Sequence, residues 1–394
     1  MRVLITGARG FIGRNLVHHL KRRELLQIVT FTREDAIDEL PHRLAGVDFV
    51  FHLAGVNRPQ DPGEFRTGNS ALTEKLCAAV RAEMRASGRK IAVLYTSSTQ
   101  AGRANPYGES KREAEDRLRS LASETGAPVH LFRLPNVFGK WCRPNYNSAV
   151  ATFCHNTARG LPITVNDPAA PLRLVYIDDV VATFLKALDG IELARDIEGF
   201  AKVEPEYATT VGEVAELIRG FRTSRQTLVT ERVGHGFLRA LHSTYVSCLP
   251  PADFSYPIPQ HGDPRGVFVE MLKTPDCGQF SYFTAPPGVT RGGHYHHTKT
   301  EKFLVIKGRA RFRFRQIDTG ETHELNTEGS NPVIVETVPG WAHDITTHED
   351  ILAAIADHDG ERASRLIVHH INHIEADLDL RDIRGLALRE ALRP

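Results

Sequence analysis

Hydrophobic positions in the first half of the chain fall into short runs separated by helical patterns. The run at residues 3–5 precedes a segment that places Ile12, Leu16 and Leu20 on one helix face. Further apolar runs, each short enough for a buried parallel strand, lie at 28–31, 47–53, 91–95 and 129–134. This alternation predicts an α/β fold with a Rossmann-like doubly wound parallel sheet.

The pattern changes in the second half of the chain. Residues 309–315 alternate arginine with Ala310, Phe312 and Phe314, as in a strand with one buried face. Glycine and proline turns punctuate the rest, which is typical of a β-barrel. A proline-rich segment, unsuited to a helix or a central strand, separates the two patterns. We therefore predict a domain at 1–245, a linker at 246–262, a second domain at 263–372 and a tail at 373–394.

Composition excludes several classes of protein. The 394 residues carry 49 basic and 48 acidic side chains without a long basic run, which argues against nucleic-acid binding. No apolar stretch approaches the ~20 residues of a membrane span, so no membrane insertion is expected. The five cysteines are scattered without a CxxC motif, which favours a reducing compartment. We expect a cytoplasmic protein.

A glycine-rich turn follows the first predicted strand. Gly7, Gly10 and Gly13 have the spacing that lets backbone approach a diphosphate at a helix N-terminus. The second strand ends at Thr32 and Arg33, where an NAD site normally has an acidic residue. Together with Arg9 in the glycine loop, these side chains suit a 2′-phosphate and favour NADPH over NADH. The alternative is that both arginines are simply solvated.

Tyr107 and Lys111 form a second candidate constellation. They are four residues apart and share one face of a predicted helix. The ammonium can lower the pKa of the phenol and make it a general acid near neutral pH. The preceding strand ends in hydroxyl side chains, of which Ser98, or else Ser97 or Thr99, can orient a substrate oxygen. A surface pair is the alternative, but the upstream glycine loop favours a reductase.

A third constellation consists of metal-ligand side chains. His294 and His296 alternate along a predicted strand, so both imidazoles project from one face, whereas His297 should face away. Glu301 on the same strand and His343 from a neighbouring one would complete a cage of four ligands. These donors suit Zn²⁺ without excluding Mn²⁺ or Fe²⁺. The sequence therefore predicts a divalent metal site, with zinc as the expected ion.

Residues 1 to about 245 resemble the extended short-chain dehydrogenase/reductases that act on nucleotide sugars. The resemblance is carried by TGARGFIG, FVFHLAG, YTSS, YGESK and RLVYIDD. It implies that Ser98, Tyr107 and Lys111 form a catalytic triad, and that Asn136 and Arg173 contact the substrate. The cofactor-binding residues that it implies are Gly7, Arg9, Gly10, Phe11, Ile12, Gly13, Thr32, Arg33, Asp48, Leu53, Ala54, Gly55 and Pro135.

The second half resembles the cupins, whose first motif has the spacing found from Gly288 through Glu301 to Gly308. The resemblance implies an all-β jelly-roll barrel. Surrounding segments resemble the cupin epimerases of 4-keto nucleotide sugars, which implies substrate contacts from Arg265, Glu270 and Arg291. Lys302 is similar to the lysine that those epimerases place beside the enolate, although a solvated lysine is an equal alternative.

The two halves together resemble the bifunctional CapF-type enzymes over most of residues 1–350. The resemblance implies NADPH-dependent C4 reduction of a UDP-4-keto-6-deoxy-HexNAc to UDP-2-acetamido-2,6-dideoxy-L-talose. It also implies C3 epimerisation by the metal cupin, in the synthesis of a surface polysaccharide precursor. One alternative is a reductase whose cupin is a metal-stabilised dimerisation module, and we expect a homodimer. A non-enzymatic nucleotide sensor is disfavoured because Tyr107 and Lys111 are present. The likeness ends near Glu349.

Overall fold

A computed structural model of the protein describes residues 1–276 and 278–348. Three predictions lie outside these residues: the end of the resemblance to CapF-type enzymes near Glu349, the end of the second domain at 372, and the tail at 373–394. The chain divides into two compact units. Among the described residues, the first unit comprises 1–256 and 274–276, and the second comprises 257–273 and 278–348. The predicted limits at 245 and 262 stay predictions.

The first unit is built on a five-stranded parallel sheet with the strand order β2-β1-β3-β4-β5. Its strands are β1 (Arg2–Thr6), β2 (Gln27–Phe31), β3 (Phe49–His52), β4 (Ala92–Ser98) and β5 (Val129–Leu134). Each coincides with a predicted apolar run, and the predicted Rossmann-like parallel sheet is confirmed. Because the strands are parallel, their carboxyl ends line one edge of the sheet.

Helices connect these strands. They are α1 (Phe11–Leu20), α2 (Leu40–Leu44), α3 (Gly63–Phe65), α4 (Leu72–Ser87) and α5 (Pro106–Thr125). A π-helical segment, Arg66–Ala71, joins α3 to α4. Asn105 caps α5 by accepting a hydrogen bond from the amide of Gly108 at 2.8 Å, and Pro106 suits the first turn.

A smaller sheet and four helices complete the first unit. The sheet contains β6 (Asn136–Phe138), β7 (Pro171–Tyr176) and β8 (Glu206–Thr210), with β7 parallel to β6 and antiparallel to β8. The helices are α6 (Ala149–Ala158), α7 (Ile177–Leu188), α8 (Val211–Thr227) and α9 (Gly236–Val246). The sequence patterns did not predict this second sheet. No helix in the described part of the chain is long and apolar enough to cross a membrane.

The second unit consists of short sheets arranged as β11-β10-β9, β12-β17-β14-β15 and β13-β16. Within β14, Ala310, Phe312 and Phe314 are buried, so the predicted alternation is confirmed. The described residues contain no closed barrel, and the predicted cupin fold is not confirmed. The strands are β9 (His261–Asp263), β10 (Gly266–Thr274), β11 (Gly278–Phe283), β12 (Thr290–His294), β13 (Lys302–Leu304), β14 (Arg309–Gln316), β15 (Thr322–Glu328), β16 (Ile334–Glu336) and β17 (Trp341–His348).

Candidate active site and metal cluster

The glycine loop lies at the carboxyl edge of the parallel sheet, directly after β1. Gly7 has a φ of +70°, and a Cβ there would lie 2.7 Å from the backbone nitrogen of Ala54. A Cβ on Gly13 would lie 2.3 Å from the carbonyl oxygen of Gly7, so α1 packs directly against the loop. The structure thus brings the predicted cofactor segments 7–13 and 53–55 together, and only glycine permits these approaches.

The residues predicted to select the cofactor lie at the end of β2. The exposed guanidinium of Arg9 forms an ion pair with Glu34, and Arg33 is exposed. The amide and hydroxyl of Thr32 both donate to Asp35, and the amide hydrogen bond is the main cause that holds the pKa of Asp35 below its usual value. Two carboxylates that the sequence analysis passed over therefore share this corner with the arginines.

Asp48 is not at the cofactor edge, and its predicted cofactor contact is corrected here. It precedes β3, where its carboxylate accepts a hydrogen bond from the backbone nitrogen of Arg2 at 2.7 Å and pairs with Arg89. Arg2 begins β1, whereas the glycine loop follows the other end of that strand. Asp48 therefore ties the amino ends of two parallel strands together, on the side of the sheet away from the glycine loop.

Ser98, Tyr107 and Lys111 come together at the carboxyl end of β4 and the first turns of α5. The buried ammonium of Lys111 donates to the carbonyl oxygen of Thr96 at 3.0 Å and lies 6.0 Å from the ring centroid of Tyr107. The Ser98 hydroxyl is close enough to Tyr107 to oppose the effect of burial on the pKa of that phenol. Ser97 instead contacts the buried Glu115, which argues against Ser97 as the orienting hydroxyl.

Burial controls the proton affinities of this trio. It lowers the pKa of Lys111 to about 8, with the Glu115 carboxylate opposing the change. It also raises the pKa of Tyr107, against the opposing effect of the Ser98 hydroxyl. The expectation that Lys111 lowers the pKa of this phenol is therefore wrong for the protein alone, because desolvation of the phenolate dominates. Tyr107 is protonated at neutral pH, as a proton donor must be.

Asn69 is a buried residue to which the sequence analysis gave no role. Its side-chain oxygen accepts from the amide of Val56 at 2.8 Å, and its side-chain nitrogen donates to the carbonyl oxygen of Val56 at 2.9 Å and to Ser110 Oγ at 3.0 Å. It therefore holds the segment after β3 against α5. The preceding Gly68 packs equally closely, since a Cβ there would lie 2.4 Å from the Val56 side chain.

The predicted substrate residues of the first unit are more dispersed. Ser98 pairs with Leu134 in the sheet, so Pro135 and Asn136 follow β5 beside the Ser98, Tyr107 and Lys111 trio. Arg173 lies on β7, in the smaller sheet, and its exposed side chain forms an ion pair with Glu206.

In the second unit, His294, His296, Glu301 and His343 converge. One ligand atom from each lies within 4.8 Å of all the others. Glu301 Oε2 is 3.1 Å from His296 Nε2 and 3.6 Å from His343 Nε2. His343 is buried, and burial, aided by the nearby His294, lowers its pKa and keeps it a neutral potential ligand. His297 lies against Tyr295, with the ring centroids 5.1 Å apart.

Lys302 is not part of this cluster, and its predicted catalytic role is corrected. Its ammonium pairs with Glu336 on the neighbouring strand, opposite it in register. The next residue, Phe303, has its ring centroid 6.2 Å from that of His343. Because side chains alternate along a strand, Lys302 faces the side of β13 opposite to Phe303.

The predicted substrate residues of the second unit separate into two places. The guanidinium of Arg291 is mostly buried, lies 5.1 Å above the ring centroid of Phe283 and donates to the carbonyl oxygen of Arg265 at 3.0 Å. Arg265 is exposed and pairs with Asp263 at 2.7 Å. Glu270 pairs with Lys273 at 2.9 Å. The two arginines are thus adjacent, and Asp263, which pairs with Arg265, would have to give way to a phosphate group.

Two family models match the chain. Residues 3–197 match the NAD dependent epimerase/dehydratase family, and residues 261–356 match the polysaccharide biosynthesis C-terminal domain. The chain is 60% identical over 346 residues to a UDP-2-acetamido-2,6-beta-L-arabino-hexul-4-ose reductase of Pseudomonas aeruginosa. That match covers 88% of this chain and 91% of the relative.

Solved structures agree with this likeness. The capsular polysaccharide assembling protein CapF from Staphylococcus aureus matches with a TM-score of 0.80 and 41% identity, over 89% of this chain and 93% of that chain. A UDP-glucuronic acid 4-epimerase from Bacillus cereus, in complex with NAD, matches with a TM-score of 0.52 and 16% identity. It covers 63% of this chain and 98% of its own, and it shows the fold alone.

Proposed function

The chain belongs to the CapF-type family, which joins an epimerase/dehydratase domain to a polysaccharide biosynthesis C-terminal domain, and from this premise we propose its reaction. It is an oxidoreductase of the UDP-sugar ketoreductase type. The proposed reaction is reduction of C4 in a UDP-4-keto-6-deoxy-HexNAc by NADPH, to UDP-2-acetamido-2,6-dideoxy-L-talose. The product would serve surface polysaccharide synthesis.

The observation that carries the proposal is the meeting of Ser98, Tyr107 and Lys111 in the same fold as the glycine loop. NADPH, when bound, supplies the hydride for C4. Tyr107 gives its proton to the carbonyl oxygen as that oxygen gains charge, and Ser98 orients the oxygen through a hydrogen bond. The ammonium of Lys111 stabilises the phenolate left on Tyr107. One hydride and one proton convert the ketone into the alcohol.

The glycine loop fits a dinucleotide because Gly7 and Gly13 leave no room for a Cβ. Arg9, Thr32 and Arg33 support NADPH, since two guanidiniums and a hydroxyl suit a 2′-phosphate. Glu34 already neutralises Arg9 and would have to give way to the phosphate. The preference for NADPH therefore depends most on Arg33.

The second unit supports a proposed C3 epimerisation. His294, His296, Glu301 and His343 have the donor types and mutual distances of a divalent metal site, with Zn²⁺ proposed. Such an ion supplies Lewis-acid stabilisation of an enolate oxygen. Arg265 and Arg291 would hold the diphosphate of the same sugar nucleotide. We propose that strands β9 to β17 of the second unit belong to a cupin barrel and that the four ligands lie inside this barrel.

One observation favours a second candidate function. Lys302 is paired with Glu336 on the neighbouring strand, so it does not occupy the place of the lysine that the epimerase resemblance implied. The alternative is therefore a reductase whose second unit is a metal-stabilised dimerisation module. Both candidates predict a homodimer, which sedimentation analysis would test.

Incubation with the UDP-4-keto-6-deoxy-HexNAc in D₂O separates the candidates. Incorporation of deuterium at C3 without NADPH supports epimerisation. NADPH oxidation without exchange at C3 supports the reductase alone. Absence of both activities would overturn the proposed function.

Substitution Gly55→Ala should damage the reduction severely. A Cβ at Gly55 would lie 2.9 Å from Asn69 Oδ1 and 3.1 Å from Lys111 Nζ, so one of these groups must move. We expect kcat to fall at least about tenfold, because small misplacements of catalytic groups are costly. The control is Gly220→Ala, where a Cβ would meet nothing within 4 Å. Equal rates for both variants would contradict the assigned position of Lys111.

The pH dependence of the reduction should report the buried ammonium. Lys111 is charged below its pKa of about 8 and neutral above it, and only the charged form stabilises the Tyr107 phenolate. We therefore expect kcat to decline as the pH rises through about 8. In Lys111→Arg, whatever activity remains should lack this decline, because guanidinium stays charged. A decline at the same pH in that variant would assign it to another group.

A further inference from the structure

A buried histidine connects the glycine loop to the turn that carries Asn69. His52 is the last residue of β3 and is 1% exposed. Its Nδ1 lies 2.8 Å from Thr6 Oγ1, and its Nε2 lies 2.8 Å from Thr73 Oγ1. Thr6 directly precedes Gly7, whereas Thr73 lies in α4, just after the turn that contains Asn69. Neither threonine was assigned a function above.

The other partners of these threonines determine where the protons lie. Thr73 donates its single hydroxyl hydrogen to the carbonyl oxygen of Asn69 at 2.9 Å. Thr73 must therefore accept from His52, which places a hydrogen on Nε2. Thr6 accepts from the amide of Ala54 at 3.1 Å, so its own hydrogen points to Nδ1. The ring is thus neutral, with its hydrogen on Nε2.

The electrostatic surroundings agree with a neutral ring. Burial, and secondarily the charge of Lys111, lowers the pKa of His52 to about 3. The ring stacks on that of Tyr95 with the centroids 5.2 Å apart, and the ammonium of Lys111 lies 5.0 Å from the Tyr95 ring. An imidazolium here would face that ammonium without a carboxylate partner among the described residues.

We infer that His52 is a positioning residue for the proposed reduction. As the neutral Nε2–H tautomer, it links Thr6, at the end of β1, to Thr73, which follows the π-helical segment that contains Asn69. Asn69 in turn hydrogen-bonds both backbone groups of Val56. This holds the neighbouring Gly55 so close to Lys111 that a Cβ there would lie 3.1 Å from Nζ. His52 touches neither the substrate nor the cofactor in this role. It holds the glycine loop and Lys111 in fixed positions relative to each other.

The first test is spectroscopic and does not depend on the proposed function. Protein labelled with ¹⁵N in histidine is studied by two-bond ¹H–¹⁵N spectra between about pH 5.5 and pH 8.5, with His52→Gln used to assign the signal. We expect a ring with the Nε2–H pattern that does not titrate. A titrating signal, or a hydrogen on Nδ1, would overturn the inference.

The second test compares variants of Thr73. Thr73→Val removes the hydroxyl at nearly constant volume, and Thr73→Ser keeps it. We expect kcat for C4 reduction to fall about tenfold in the valine variant, with the KM for the sugar nucleotide within about threefold, and serine to restore most of the rate. The matched control is Thr244→Val, since Thr244 is also buried and donates to the carbonyl oxygen four residues earlier, at 2.8 Å.

The outcomes are distinguishable from failure of the proposed function. If the unmodified protein reduces no UDP-4-keto sugar, the reduction proposal fails, while the spectra still decide the state of His52. If Thr73→Val is folded and keeps its rate, or if Thr244→Val loses as much rate, His52 has no positioning role.

Discussion

Replacement of Tyr107 by phenylalanine should nearly abolish oxidation of NADPH by the UDP-4-keto sugar. The phenol is the group that can give a proton to the C4 oxygen, and general acids contribute about 10²- to 10⁴-fold to rates. We therefore expect kcat to fall about 10³-fold. Binding of NADPH, measured by fluorescence titration, should change by less than about threefold, because the glycine loop is untouched.

The control for this substitution is Tyr245→Phe. Tyr245 is a buried tyrosine of α9 with no role in the proposed reaction, and its variant should retain the normal rate. Deuterium exchange at C3 should also survive in Tyr107→Phe, since that exchange is assigned to the second unit. Loss of both activities would refute the division of labour between the two units, and retention of the reductase rate would refute Tyr107 as the acid.

Replacement of His296 by alanine should remove the metal from the second unit. Structural Zn²⁺ sites bind with about 10–16 kcal/mol, so loss of one ligand in four should cost roughly 3 kcal/mol, or about 100-fold in affinity. Metal analysis of the purified variant should show little ion, and deuterium exchange at C3 should be lost. The C4 reduction should stay within about twofold, because Tyr107 and its partners belong to the first unit.

The neighbouring His297→Ala is the matched control for the metal site. Its ring lies against Tyr295, and it should retain the ion. Equal metal loss in the two variants would contradict the assigned ligands. Full metal content in His296→Ala would contradict the site itself. Metal loss with unchanged exchange at C3 would leave the site and remove its proposed role in epimerisation.

Local spacing in the sequence predicted much of this molecule. The apolar runs predicted the parallel strands because such strands are buried on both faces. The i, i+4 spacing of Tyr107 and Lys111 predicted a shared face because the helix period is constant. The predicted single strand for His294, His296 and Glu301 is wrong, since β12 ends at His294 and the other two residues lie outside the strands, although all three still converge with His343. Patterns could not predict the smaller β6–β8 sheet, whose strands are short and partly exposed.

The errors have a common origin. Asp48 was assigned to the cofactor although it precedes β3 and binds the amino end of β1. Lys302 was assigned to catalysis as the lysine beside the enolate, although its strand pairing turns it towards Glu336. Both errors concern partners that are 34 or more residues away in sequence.

The sequence by itself therefore determined which groups are present and which neighbours share a face, because these follow from periods of a few residues. Only the tertiary structure decided which edge or face of the sheets Asp48 and Lys302 occupy. It also decided that burial raises the pKa of Tyr107 and lowers that of Lys111, and that His52 joins Thr6 to Thr73. Strand register and burial bring distant residues into contact, and the protonation of a side chain depends on those contacts and on the exclusion of water.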